Sequence, residues 1–264
     1  MHIGISTSCF FPDLMTEETL PVIASLGVTD VEWFMQAASE YALGFSQAAR
    51  ADMDRWGLRT YSLHAMTTQF EPQLFSPAPR QRADAWAVLD TVLCAGKTMG
   101  ARTYSFHGMA NAKHSPGPHH ITEEMLSTTR ALVERCATHG MLLAWENVYW
   151  AGFRHPSFAE TLRREVAGIH FTLDLKQALV VGEDPFDYLQ AMGDAVCNVH
   201  VCDVDANGQH CLPGRGVFDF PRLGRMLQDI GYQGGVMLEV YADNFAIPQE
   251  LGDAWMWLGE TLRG

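Results

Sequence analysis

The 264-residue sequence has few basic residues, no closely paired cysteines and no long hydrophobic run. Lys and Arg number 18 against 31 Asp and Glu, and the resulting net charge of −13 repels phosphate backbones. The six cysteines include no CxxC pair, which argues against a disulfide framework and a structural zinc module. No apolar run reaches the roughly 18 residues of a membrane span, and the first residues lack the basic segment of a signal peptide. We therefore expect a cytoplasmic protein with neither nucleic acid nor membrane as its partner.

Short β-rich runs alternate with longer amphipathic stretches along the whole chain, a rhythm typical of a parallel sheet. The predicted strands are 2–6, 30–34, 59–64, 101–107, 142–146, 170–174, 196–202 and 236–240. Helical spacing of apolar residues marks 17–26, 80–99, 122–138, 157–166, 185–192 and 220–230. Glycines such as Gly57 and Gly100 precede strands, where they can end a helix.

Eight such units of about 33 residues each fill the chain, which is the repeat length of a (β/α)8 barrel. The sequence therefore predicts an α/β protein with one TIM barrel domain over residues 1–264. A doubly wound open sheet is the competing architecture. It is disfavoured because the first strand leads into STSCFFPD rather than a glycine-rich phosphate-binding turn.

Polar residues stand at the carboxyl ends of the predicted strands, where barrel enzymes carry their chemistry. The sharpest group is Glu146, Asp174, His200 and Glu239, three carboxylates and one imidazole from four consecutive strands. Converging buried carboxylates need a cation to offset their repulsion. This donor set suits Mn²⁺, Mg²⁺ or Co²⁺, and Zn²⁺ is also compatible. The alternative is that each residue is isolated and satisfied by loop amides or water.

Short motifs at the strand ends resemble a known family. They are IGISTSCF, LHA, FHG, WEN, FTLDLKQA, HVCD, HCLPGRGVFDF and MLEVY, in this order and over essentially the full length. The chain resembles the sugar phosphate isomerase/epimerase group of xylose-isomerase-like TIM barrels. That group includes ketose 3-epimerases, hydroxypyruvate isomerase, inosose dehydratase and, more distantly, endonuclease IV.

The resemblance implies that Glu146, Asp174, His200 and Glu239 bind one divalent metal ion and that no organic cofactor is needed. It also implies that Glu146 and Glu239 are the catalytic acid/base pair. The implied activity is isomerisation or epimerisation of a small sugar, polyol or hydroxy-keto acid through a metal-stabilised enediolate. A dehydratase acting on an inosose- or dehydroshikimate-type substrate through the same intermediate is the alternative.

Two departures bear on the remaining candidates. Many members of the family have histidine where this chain has Gln177, and Gly208 stands where the nuclease has an aspartate two residues before the late histidine. These differences and the acidic charge disfavour an endonuclease IV-like phosphodiesterase. A barrel that binds without catalysis is disfavoured by the intact set of four ligands.

Further residues are predicted to contact the substrate. His64 and His107 match the positions of a second metal in the nuclease-like branch, and the alternative that we favour is that they contact the substrate. The other candidates are Lys176, Gln177, Asp203, His210, Arg215, Trp33 and Trp145. Lys176 can equally be a solvated side chain at the rim, and Glu32 can be a rim carboxylate paired with a loop. No phosphate cradle is visible, so we expect an unphosphorylated, carbohydrate-like partner, and a homodimer or homotetramer is possible.

Overall fold

The computed structural model describes residues 1–66, 69–110 and 121–264. The strands are β1 (His2–Ser6), β2 (Asp30–Phe34), β3 (Arg59–His64), β4 (Thr103–Phe106), β5 (Leu142–Glu146), β6 (His170–Asp174), β7 (Val196–Val201), β8 (Asp203–Val204), β9 (His210–Cys211) and β10 (Gly235–Leu238). Eight of them pair in parallel and close a barrel in the order β1-β10-β7-β6-β5-β4-β3-β2. This confirms the predicted TIM barrel. The short strands β8 and β9 form a separate antiparallel pair, which the sequence analysis did not predict.

The helices are α1 (Thr16–Ser25), α2 (Leu43–Trp56), α3 (Pro79–Met99), α4 (Glu123–Thr138), α5 (Pro156–Glu165), α6 (Leu175–Val180), α7 (Pro185–Met192), α8 (Phe220–Asp229) and α9 (Pro248–Thr261). Gly57 and Gly100 follow α2 and α3 with φ of 68° and 79°, so glycine supplies the left-handed cap as predicted. Among the described residues, none of these helices is long and apolar enough to cross a membrane.

The interior of the barrel carries a polar layer below the carboxyl ends of its strands. Ser6 and Ser62 lie beside Glu32 in the register of neighbouring strands, and both hydroxyls donate to its carboxylate. Thr172 and Asn198 face each other in the register of β6 and β7. Because side chains alternate along a strand, the residue two positions further on faces the same interior, one layer nearer the open end. That next layer holds His64, His107, Glu146, Asp174 and His200.

Candidate metal centre and active site

Four buried side chains meet at the carboxyl ends of β5, β6, β7 and β10. Glu146 and Asp174 end their strands, His200 lies within β7, and Glu239 directly follows β10. One ligand atom from each lies within 4.8 Å of the others. His200 Nδ1 is 3.0 Å from Glu239 Oε2, 3.4 Å from Glu146 Oε1 and 3.9 Å from Asp174 Oδ2. The structure therefore brings together all four residues predicted as metal ligands.

The unused lone pairs of this group fit a divalent cation. Among the described residues, Glu146 Oε2, Asp174 Oδ2 and His200 Nδ1 are buried atoms without a hydrogen bond. Burial raises the pKa of Asp174 to about 8, and repulsion from Glu146 and Glu239 acts in the same direction. The charges of Lys176 and His200 lower the pKa but do not outweigh these effects. Three oxygen donors and one nitrogen are a donor set suited to Mn²⁺, Mg²⁺, Co²⁺ or Zn²⁺.

Glu32 contacts His200 Nε2, the ring nitrogen that is turned away from Glu146, Asp174 and Glu239. Its Oε2 accepts hydrogen bonds from Ser62 Oγ at 2.7 Å and Asn198 Nδ2 at 3.2 Å, and lies 2.8 Å from His200 Nε2. Its Oε1 accepts from Ser6 Oγ at 3.1 Å. Glu32 is fully buried, so it is no rim carboxylate. A proton on Nε2 leaves Nδ1 as the ligand atom, because neutral imidazole has one donor and one acceptor nitrogen.

Two histidines, His64 and His107, lie next to the group formed by Glu146, Asp174, His200 and Glu239. His107 Nε2 is 3.3 Å from Glu146 Oε2, and the two imidazole rings are 4.9 Å apart and nearly perpendicular. The ring of Phe34 lies edge-on against His64, and Trp150 lies edge-on against His107. His64, His107 and Glu146 also offer ligand atoms within 4.8 Å of one another. Both readings of the two histidines, second metal or substrate contact, stay predictions.

Three further predicted substrate contacts follow β6 and β8 in the chain. They are Lys176, Gln177 and His210. Lys176 is buried, and its ammonium lies 4.5 Å from the centre of the Tyr241 ring. Gln177 Oε1 accepts a hydrogen bond from the backbone N–H of Tyr149 at 3.2 Å. His210 is partly buried, and burial together with the charge of Lys176 lowers its pKa. Its imidazole is therefore neutral at pH 7.

The comparisons agree with this architecture. A sequence model for the family described as xylose isomerase-like TIM barrel matches residues 20–261. The chain belongs to this family. An uncharacterized protein of Mycobacterium leprae (strain TN) is 23% identical to it over 267 residues, covering 91% of this chain and 89% of that protein.

Two solved structures share the whole barrel with this xylose isomerase-like chain. A D-psicose 3-epimerase from Clostridium cellulolyticum H10, solved with D-tagatose, is 16% identical with a TM-score of 0.81, and the match covers 100% of both chains. The IOLI protein with a binding zinc atom is 14% identical with a TM-score of 0.80, covering 99% of this chain and 98% of that one. At such low identity these matches establish the common fold.

The predicted substrate contacts of Trp33 and Trp145 are wrong. Each directly neighbours an inward-facing glutamate on its strand, so its own side chain points outward to the helices. Trp33 packs against Phe45 of α2, and Trp145 packs against Phe106 and Phe158. Both tryptophans have no exposed surface. Both side chains pack on the outer face of the strands of this xylose isomerase-like barrel. They therefore cannot stack on a ligand at the open end of the barrel.

Asp203 is also placed differently from its prediction. It lies outside β7, and its carboxylate accepts backbone N–H groups from Val204, Gly214, Gly216 and Phe218 at 2.8 to 3.0 Å. A Cβ on Gly216 would lie 2.3 Å from Asp203 Oδ1, so the tight approach requires glycine. With four amides bound, the carboxylate organises the loop after β9 and has no free position for substrate.

Arg215, in the loop after β9, forms an ion pair with a residue of α9. Its Nη1 lies 2.8 Å from Glu250 Oε1 of α9, and half of its side chain is exposed. This ion pair fastens the loop to α9, which argues against the predicted contact with substrate.

Three residues near the site were not predicted. Ser8 Oγ donates to Glu239 Oε1 at 3.2 Å, and Tyr241 covers Lys176. Glu71, fully buried, accepts the backbone N–H groups of His107 at 2.8 Å and Gly108 at 2.9 Å, which fixes the end of β4. Ser8 and Tyr241 each lie two residues beyond an inward-facing strand-end position, a periodicity that could have identified them. Glu71 precedes the strand by some thirty residues and leaves no local signal.

Proposed function

We propose that this chain is a divalent-metal-dependent isomerase or epimerase of a small sugar, polyol or hydroxy-keto acid, working through an enediolate. One observation carries the proposal: four buried side chains bring ligand atoms within 4.8 Å of one another, and three of them, on Glu146, Asp174 and His200, make no hydrogen bond to the described residues. The names of two proteins with the same fold, a D-psicose 3-epimerase and the zinc-binding IOLI protein, support it.

The four ligands suit a metal whose chemistry matches this reaction. A divalent ion bound by Glu146, Asp174, His200 and Glu239 supplies a Lewis acid that favours loss of a proton beside a carbonyl group. The ion pairs and hydrogen bonds described above hold these side chains in place around a common point.

Glu146 and Glu239 are placed to move the proton. They come from β5 and β10, which are separated in the barrel by β6 and β7 and therefore approach the site from different sides. His107 Nε2 lies near one oxygen of Glu146, and Ser8 Oγ donates to one oxygen of Glu239. Each carboxylate has two oxygens, so each can bind with one and accept a proton with the other. We propose that one glutamate removes the substrate proton and the other returns it.

The test is exchange of substrate C–H with solvent deuterium. The metal-loaded protein is incubated with a panel of ketoses, aldoses and keto acids in D₂O, and exchange and products are followed by NMR and mass spectrometry. Glu146→Gln and Glu239→Gln keep shape but lose the base, so we expect each to reduce exchange by about 10²- to 10⁴-fold. Glu160→Gln, on the exposed face of α5, is the matched control and keeps wild-type exchange.

Each outcome has a separate meaning. Wild-type exchange in either site variant would remove that glutamate from the acid/base role. Absence of exchange across the panel with the wild-type protein would overturn the proposed function. A product lighter than its substrate by one water would identify the dehydratase instead.

A further inference from the structure

Among the described residues, the ammonium of Lys176 has no hydrogen-bond acceptor. Lys176 is 6% exposed, at the start of α6 directly above the ligand Asp174. Within residues 1–66, 69–110 and 121–264, its Nζ makes neither a hydrogen bond nor an ion pair. The contact that the structure gives it is with the face of the Tyr241 ring, 4.5 Å away. The charges of Glu239 and Asp174 favour the ammonium form of Lys176, yet no described carboxylate lies within ion-pair distance of Nζ. The hydrogen-bond donors of Nζ are therefore available to an anionic partner from outside the chain.

The surroundings of Nζ lie at the mouth of the barrel. Tyr241 is half exposed and follows the ligand Glu239 by two residues. His210 lies beside the same ring, with the two ring centres 6.0 Å apart. Lys176 and Asp174 are separated by only one residue, so a molecule touching both the ligand group and Nζ is small. The geometry leaves a cationic position next to the metal centre, open to a ligand.

A carboxylate suits this position better than a phosphate. One ammonium with a neutral imidazole nearby matches a single negative charge, whereas a phosphate dianion is typically held by several cationic or backbone donors. Arg215, the nearest arginine in the loop sequence after β9, is already paired with Glu250. The three carboxylates of the ligand group would also repel a dianion more strongly than a monoanion.

We propose that Lys176, backed by Tyr241, is a subsite for a substrate carboxylate, and that the substrate class is therefore small hydroxy-keto acids rather than neutral sugars. This inference rests on the proposed function, because the carbonyl and hydroxyl of the same molecule would occupy the centre between Glu146 and Glu239. The competing explanation is that Lys176 only offsets the charges of Glu239 and Asp174.

The experiment uses pairs of probes that differ in one group. Dihydroxyacetone and hydroxypyruvate differ in a hydroxymethyl against a carboxylate, and D-fructose and D-fructuronate differ in the same way at their far end. Dissociation constants are measured by calorimetry, and C–H exchange is measured in D₂O, with metal-loaded wild type, Lys176→Met, Lys176→Arg and Lys97→Met. Lys97 is exposed on α3 and is the matched control for loss of a lysine charge.

We expect the wild type to bind an acid about tenfold more tightly than its neutral partner. Lys176→Met should weaken binding of the acid by about 10- to 100-fold and change binding of the neutral probe by less than about threefold. Lys176→Arg should recover part of the loss because it keeps the charge, and Lys97→Met should resemble the wild type.

Several results would overturn the inference. The first is that the wild type binds acid and neutral probes equally well, and the second is that Lys176→Met weakens binding of both equally. The third is that Lys176→Met changes metal affinity but keeps the preference for the acid. The fourth is that dihydroxyacetone phosphate binds more tightly than hydroxypyruvate. Exchange confined to neutral sugars would uphold the proposed function and reject this subsite. Acid binding that depends on Lys176, without exchange of any probe, would uphold the subsite and reject the proposed function.

Discussion

At the scale of single residues, Glu32 contacts one ring nitrogen of His200, and Glu146, Asp174 and Glu239 lie near the other. Glu32→Gln removes the negative charge beside His200 and replaces one acceptor oxygen with an NH₂ group. That group faces either Ser62, Asn198 and His200 or, in the other orientation, the donor Ser6. We expect divalent-metal affinity to fall by about 10- to 100-fold, since partners of this kind orient the ligand histidine. The measurement is competition with a metal-chelating dye, monitored beside the Co²⁺ absorption spectrum, which reports ligand geometry.

Ser62→Ala provides the control for this prediction. It removes one donor to Glu32 but leaves the carboxylate on His200, so we expect metal affinity within about threefold of wild type. An unchanged affinity and Co²⁺ spectrum in a folded Glu32→Gln variant would show that His200 is oriented without Glu32.

The sequence reveals residues whose position follows from strand order, and misses those whose role depends on distant partners. Glu146, Asp174 and His200 could be predicted as a group because parallel strands bring their carboxyl ends together. Trp33 was misplaced because its aromatic character suggested stacking, although the alternation along β2 turns it away from the interior. Asp203 could not be assigned its role, since three of the four amides that it binds lie 11 to 15 residues further along the chain.

At the scale of elements, the segment from β8 to the start of α8 is organised by one carboxylate. Asp203→Asn replaces one acceptor oxygen with an NH₂ group that faces two backbone N–H donors, at Gly214 and Gly216 or at Val204 and Phe218. We expect the free energy of unfolding to fall by about 2–4 kcal/mol, because buried donors lose a charged acceptor. Urea unfolding measures the loss, and hydrogen exchange should show faster exchange at residues 212–218.

The effect of Asp203→Asn should be specific to its position. Asp229→Asn, an equivalent change at the exposed end of α8, should alter stability by less than about 0.5 kcal/mol. If hydrogen exchange at 212–218 is unaffected by Asp203→Asn, the four backbone contacts do not organise the loop.

At the scale of the whole molecule, the chain of βα units could be predicted almost completely. The bounds of β1, β2, β3, β5 and β6 are as predicted. The predicted strand 236–240 instead spans Gly235–Leu238, so Glu239, one of the four proposed ligands, lies just beyond its end. The sequence analysis did not single out α2 and α9, nor α6, which has only six residues and directly follows β6. A helix this short has too few residues for a periodic apolar pattern to be distinguished.

The stability of the whole barrel should depend on divalent metal if the four ligands bind one. An ion bound only by the folded chain at a hundred times its dissociation constant adds about 2.7 kcal/mol, which corresponds to a rise in Tm of about 5–10 °C for a chain of this size. Scanning calorimetry after chelation and after addition of Mn²⁺, Mg²⁺, Co²⁺ or Zn²⁺ measures this rise. Asp174→Asn should lose most of the metal-induced rise. After chelation at pH 7 it should unfold near the wild-type temperature, because a pKa of about 8 leaves the Asp174 carboxyl largely uncharged there. Glu160→Gln should retain the wild-type rise. The same Tm with and without every one of the four metals would contradict a metal centre at the end of this barrel.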